Sequence, residues 1–231
     1  MSTKPHDQPL DNAPSGRGKL SRKRILRTAL TIVDQEGVNS FTVRKLASRL
    51  GVTPMAIYRH YENKAAIAHE LVDLVVGDYD VTNHEEADWI EWVCATFFQM
   101  RRALCACPGI IPLLDSATNQ GHNAMAVMEE VLGRFHNAQL EPAAAAQLFH
   151  TLMAYTIGSV VLMNEGYRLQ AAGAPVDSEE QLRIQRLNYE IAPRGEYPNI
   201  VELAPHLAHI SGDEQFLLSI RQISKSASAL Q

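Results

Sequence analysis

The chain has 231 residues, 46% of them hydrophobic, and its 21 Lys and Arg against 26 Asp and Glu leave a net charge of −5. That length accommodates one large domain or a small one joined to a larger one, and it can bury a core without disulfides or metals as staples. No uninterrupted apolar run approaches the ~20 residues of a bilayer span. The opening MSTKPHDQPLDNAPSG has no apolar signal stretch, and three cysteines (Cys94, Cys105, Cys107) imply no disulfide framework. A soluble cytoplasmic globular protein without a membrane partner is expected.

The average charge hides a split. Residues 1–64 hold 12 Lys and Arg against 5 Asp and Glu, a net of +7; residues 65–231 hold 9 against 21, a net of −12. A basic head on an acidic body points to a polyanion met by the head alone.

Residues 1–18 are polar and rich in Pro, Gly and Asp, and are expected to form a disordered arm. A first helix is predicted from Ser21 to Glu36, with Ile25, Leu26, Ala29, Leu30 and Val33 at helical spacing and Gly37 as its stop. A second carries Val43, Leu46, Ala47 and Leu50 and closes at Gly51. Thr53-Pro54 opens a third, Thr as N-cap and Pro at the first helical position, ending near His60 or Tyr61. Asn63 can cap a fourth, with Ile67, Leu71, Leu74 and Val75 on one face. Further helices are predicted over 87–106, 123–137, 143–171 and 213–227, with a short one around His206 and His209. Residues 174–199, with three prolines and Gly195, read as a long connection. Strand alternation and hairpin turns are absent, so the fold class is all-α. The expected organisation is an arm over 1–18, a helix-turn-helix domain over 19–65 that helix four joins to the body, and a helical effector-binding and dimerisation domain over 66–231.

The informative stretch is FTVRKLASRLGVTPMAIYRHYENK, residues 41–64. Two short helices around a glycine turn are the helix-turn-helix arrangement. Leu46, Leu50, Val52 and Ile57 are spaced to pack on helix one. With Ile57 and Tyr61 inward, the outer surface of helix three is Met55, Ala56, Tyr58, Arg59 and His60. Seven residues extend roughly 10 Å, short enough to enter a major groove end-on. Arg59 can read guanine edges or hold a phosphate, and Met55 and Ala56 can pack on thymine methyls. The hydroxyls of Thr42, Thr53 and Tyr58, and the Lys64 ammonium, can meet phosphates. Arg22, Lys23, Arg24 and Arg27 crowd the N-terminal end of helix one, where the macrodipole disfavours cations; a phosphate backbone alongside would compensate.

The segment from Leu20 to about Leu74 resembles the N-terminal domain of TetR-family transcriptional regulators, through the glycine-closed first helix, TVRKLASRLGV and IYRHYENK. The closing stretch EYPNIVELAPHLAHISGDEQFLLSIRQI is more loosely similar to the C-terminal domain of the tetracycline-repressor branch. The resemblance implies a homodimeric, ligand-responsive repressor on a palindromic double-stranded DNA operator, released by a small-molecule effector. It assigns DNA contact to Arg44, Thr53, Pro54, Met55, Ala56, Tyr58, Arg59, His60 and Lys64, and dimer contact to about 143–171 and 213–227. It also implies that effector binding moves helix four and separates the two recognition helices. In tetracycline repressors proper a body histidine holds the drug's magnesium; here Ala106 or Cys107 falls near that place, which argues against tetracycline–magnesium as effector.

Phe97, Phe98, Met100, His150, Met153, Tyr155 and Met163 mix aromatic, thioether and polar groups at helical spacing and are the candidates to line an effector pocket. Cys105 and Cys107 do not share a helix face and lack zinc-knuckle spacing, so they read as small buried residues. His122, His136 and His150 are scattered, and no metal or cofactor is expected. Glu85-Glu86 and Glu129-Glu130 are adjacent pairs that point apart. No nucleophile elbow, phosphate loop or His-Glu-x-x-His occurs, so no enzyme is expected. The alternative is a helical small-molecule-binding or signalling protein whose helix-turn-helix serves protein interaction.

Overall fold

The computed structural model describes residues 20–77, 88–117, 121–162, 178–208 and 212–228. Eleven α-helices, and no strand, occur among them: α1 Arg22–Glu36, α2 Val43–Leu50, α3 Pro54–Tyr58, α4 Lys64–Gly77, α5 Trp89–Ala106, α6 Ile111–Ala117, α7 His122–Asn137, α8 Pro142–Val161, α9 Ser178–Glu190, α10 Pro198–Leu207 and α11 Asp213–Ser228. Short 3-10 turns at Val38–Ser40 and Pro108–Ile110 precede α2 and α6. The all-α class holds. The expected arm, Glu85-Glu86, Met163 and His209 lie outside the described residues.

Local chemistry sets the boundaries. Ser21, Thr42 and Thr53 cap α1, α2 and α3 by accepting from the amides of Arg24, Lys45 and Ala56. Asn63 Oδ1 accepts from the Ala66 amide at 2.8 Å in the first turn of α4. Gly37 (φ 78°) ends α1, and Gly51 (φ 67°, ψ 34°) ends α2 in the left-handed region that a Cβ disfavours.

In the head, α1 buries Ile25, Leu26, Ala29, Ile32 and Val33. Ile32 takes the place expected of Leu30, which is only partly buried. α1 packs on α2 and α4, and α4 continues onto α6, α7 and α5 of the body. In the body α5 packs on α8 and α11, and α7 on α8. One apolar cluster runs unbroken from Ile25 through Ile67, Leu71 and Trp92 to Phe216 and Ile220, so head and body share a core.

Three expectations need correction. Residues 178–190 form helix α9 within the stretch read as a long connection. Its prolines fall outside the helix, at Pro175, Pro193 and Pro198, and breakers at the flanks masked the helical run between them. α3 stops at Tyr58, and Arg59 and His60 continue as a turn with the amides of His60 and Tyr61 both on the Ile57 carbonyl. α6 follows Pro108-Gly109, where the breaker was read but the restart was not.

α8 is long and apolar enough, by length and composition, to span a bilayer, although Gln147, His150, Thr151, Thr156 and Ser159 interrupt it. Only 28% of its apolar window is buried within the chain.

Candidate nucleic-acid interface and body cavity

The recognition surface starts from the α2–α3 turn. Gly51 donates toward the Ala47 and Ser48 carbonyls, and Val52 N reaches Ala47 O at 3.0 Å, which closes α2 tightly and turns the chain into α3. Ile57 and Tyr61 point inward and are buried. Met55 (66% exposed) and Tyr58 (46%) therefore stand outward beside exposed Arg59, with Ala56 and His60 half-buried between them. Pro54, Thr53, Thr42, Arg44 and Lys64 are exposed around this surface. The Thr42 and Thr53 hydroxyls accept cap bonds at 3.2 and 3.3 Å, and each still has its hydrogen to donate to an outside acceptor.

The basic residues divide by what they already hold. Lys45 and Arg49 both pair with Glu36, and the bond from Lys45 first, then the two positive charges, holds the Glu36 carboxyl below its usual range. Arg24 reaches the Leu50 carbonyl at 3.4 Å, meeting the C-terminal end of α2. Arg22 donates to the His60 carbonyl at 3.0 Å, lies 3.5 Å from Glu70 of α4, and sets its guanidinium 5.0 Å over the Tyr61 ring. Burial, then the Glu70 carboxylate, pushes the Tyr61 hydroxyl above its ordinary range, so it stays neutral. Arg22 thus staples the end of the recognition segment to α1 and α4. Lys64 lies 5.1 Å from the Phe41 ring centroid. Exposed Lys23, Arg27, Arg44 and Arg59 make no ion pair among the described residues.

Two close contacts join head and body. The Ala124 amide and the Asn123 side chain donate to the Oδ1 and main-chain oxygen of Asp73, both at 3.0 Å, so α4 caps the N-terminus of α7. A Cβ at Gly121 would collide with the Asp73 carboxylate. Gly109, in the turn after α5, lies so close to the end of α1 that a Cβ there would strike the Val33 carbonyl.

A cavity of about 400 Å³ opens between α5, α8 and α11, lined by Arg101, Tyr155, Gly158, Ser159, Leu162 and Phe216 together with Ala154 and Gly212. Arg101 is 2% exposed, pairs with Asp213 and lies 4.9 Å over the Phe216 ring. Tyr155 stacks on Phe216 at 5.5 Å between centroids, 15° from parallel.

Of the seven residues expected to line a pocket, Tyr155 lines this cavity. Phe97 and Met100 are buried in the core, Phe98 and Met153 pack partly buried against it, and His150 is exposed. Met163 is outside the described residues. The sequence reading missed Arg101, although a cation four residues after Phe97 on the buried face of an apolar helix was a legible signal. Cys105 is buried and Cys107 half-buried, and burial pushes the Cys94 thiol up to about 11.

Residues 25–71 match the model for bacterial regulatory proteins of the tetR family, and residues 82–223 match that for the tetracyclin repressor-like C-terminal domain. The tetracycline repressor protein class C of Escherichia coli is 36% identical over 90 residues, a match that spans 38% of this chain and 41% of that protein. An HTH-type transcriptional regulator of Saccharopolyspora erythraea is 26% identical over 200 residues, 87% of this chain and 84% of that one. Among solved structures, the TetR family protein ActR of Streptomyces coelicolor in complex with actinorhodin superposes with a TM-score of 0.76 at 23% identity, over 92% of this chain and 98% of that chain. The regulator SCO7222 from the same organism gives 0.72 at 27% identity, over 92% and 99%. With one family model on the recognition helices and the other on the helical body, the chain belongs to the tetR family of bacterial regulatory proteins, which are ligand-responsive DNA-binding repressors.

Proposed function

We propose that the protein is a cytoplasmic homodimeric repressor that reads a palindromic operator with α3 and is released by a small molecule bound in the body. The observation that carries this reading is the outward surface of Met55, Tyr58 and Arg59, built on a buried Ile57–Tyr61 pair, in a head whose exposed Lys23, Arg27, Arg44 and Arg59 make no ion pair among the described residues. On it, Arg59 reads a base edge or holds a phosphate, and Met55 and Ala56 pack on thymine methyls. Thr42, Arg44, Thr53, Pro54, Tyr58, His60 and Lys64 fix the register through the backbone.

The apolar surface that α8 leaves uncovered within the chain supports a second copy as its cover, together with α11. The cavity beside Arg101 is the proposed effector seat. α5 runs from Arg101 about one and a half turns to Ala106, the turn that follows it abuts α1 at Gly109, and α4 caps α7 through Asp73. A ligand that displaces α5 or α7 thereby reaches α1 and α4, the two helices that Arg22 ties to the end of the recognition segment.

Footprinting on DNA upstream of the protein's own gene tests the reading. A protected palindrome with half-sites about one helical turn apart, whose binding weakens steeply with salt through counterion release, is the expected result. Salt-insensitive or sequence-indifferent binding would overturn it.

A further inference from the structure

The cavity's own chemistry restricts what it can hold, and this step rests on its proposed role as the effector seat. Its walls are mostly carbon: the stacked Tyr155–Phe216 pair, Ala154, Leu162 and the bare backbone of Gly158. The Ser159 hydroxyl donates to the Thr156 carbonyl at 2.7 Å and so offers a ligand acceptor lone pairs. The charged donor at the wall is Arg101, withdrawn from water to 2% exposure on the Phe216 face. Its carboxylate partner Asp213 is itself 62% exposed. A buried guanidinium with an exposed counter-ion repels a cationic ligand and gains little from a neutral one. It rewards an anion that brings its own charge into the low-dielectric site.

We propose that this cavity takes a planar aromatic anion, its ring against the Tyr155–Phe216 stack and its carboxylate or sulfonate on the Arg101 guanidinium, where Asp213 now sits. Asp213 then competes with the ligand: it keeps Arg101 neutralised when the site is empty and swings toward water when the anion arrives. Charge and flat shape are thus both selected, by two different walls.

The test uses the full-length protein and two fluorescent probes of like shape, anilinonaphthalene sulfonate and uncharged phenylnaphthylamine, titrated without DNA. The anion is expected to bind about tenfold or more tightly than the neutral probe. Gly158→Leu fills the cavity, because a Cβ there meets nothing within 4 Å and a non-glycine residue suits a helix interior. It should abolish binding of both probes. Asp213→Asn should tighten the anion roughly threefold or more while leaving the neutral probe unchanged. Arg101→Gln should erase the preference between the probes. If Arg101→Gln fails to fold, the other two variants decide, each compared with the parent by circular dichroism.

Equal affinity for the two probes, weaker anion binding in Asp213→Asn, or undiminished binding in Gly158→Leu would each overturn the proposal. Displacement of operator DNA is measured separately. Anion binding that follows all three variants but leaves the operator complex intact would sink the effector role while the ligand class stands.

Discussion

Arg59 and Arg22 are both arginines of the basic head, and the structure sets them in opposite surroundings. Arg59 stands exposed without an ion pair among the described residues, whereas Arg22 holds the His60 carbonyl, Glu70 and the Tyr61 ring. Arg59→Ala is expected to weaken operator binding by roughly 1–3 kcal/mol with an unchanged melting temperature. Fluorescence anisotropy beside a thermal melt checks both. Arg22→Ala should instead lower the melting temperature, while Lys23→Ala, at a neighbour with no ion pair among the described residues, should reduce the salt slope of binding by about 1 and leave stability alone. The sequence showed four cations at the start of α1 but not this division of labour. Arg22 meets Glu70 across 48 positions of chain, a distance that no local pattern encodes.

Elements were legible where capping and periodicity agreed. Thr42, Thr53, Asn63, Gly37 and Gly51 fixed the starts and stops of the head, because each acts within four residues of itself. Gly51→Val is therefore expected to cost about 1–3 kcal/mol in thermal unfolding, since a β-branched residue at φ 67° is strained whatever the surrounding space. α9 was hidden because its apolar residues face no shared core. Ile184, Leu187 and Ile191 are exposed, and the helix packs chiefly on α10, so no buried stripe announced it. Pocket residues were hidden for a related reason: helical spacing says which residues share a face but not whether a core or a void lies opposite. Between elements, Gly121→Ala should lower the melting temperature by driving a Cβ into Asp73, and Asp73→Ala should cost stability by uncapping α7. In the double variant the collision is gone, so its loss should be smaller than the sum of the two, a coupling that a mutant cycle measures.

Across the whole molecule, the split between a +7 head and a −12 body was visible by counting, and so was the all-helical class. The body's long-range ties were not. Arg221 of α11 grips Glu91 of α5 with two bonds of 2.8 and 2.7 Å, 130 positions apart. That grip, chiefly the hydrogen bonding, holds the Glu91 carboxyl below its ordinary value. A carboxyl lowered in the fold binds its proton first in the unfolded chain. Its stabilisation is complete above the unfolded value of about 4.3 and is lost as pH falls through the lower folded value. Glu91→Gln should accordingly lower the melting temperature at neutral pH and flatten its decline between about pH 5 and pH 3.

If release by a small molecule moves α4 against α7, as the tetR-family resemblance implies, the Asp73 cap on α7 would also set how much a promoter leaks. Sliding α4 past α7 breaks two hydrogen bonds to Asp73 and leaves the Ala124 amide without its acceptor. A cost of about 1–3 kcal/mol for that step separates the two arrangements by a factor of roughly 5 to 150. A chain with a weaker cap would drift between arrangements unprompted and transcribe at a high idle level; one with a stronger cap would stay silent but need more effector to wake. On that mechanism one carboxylate between helices would trade background expression against sensitivity.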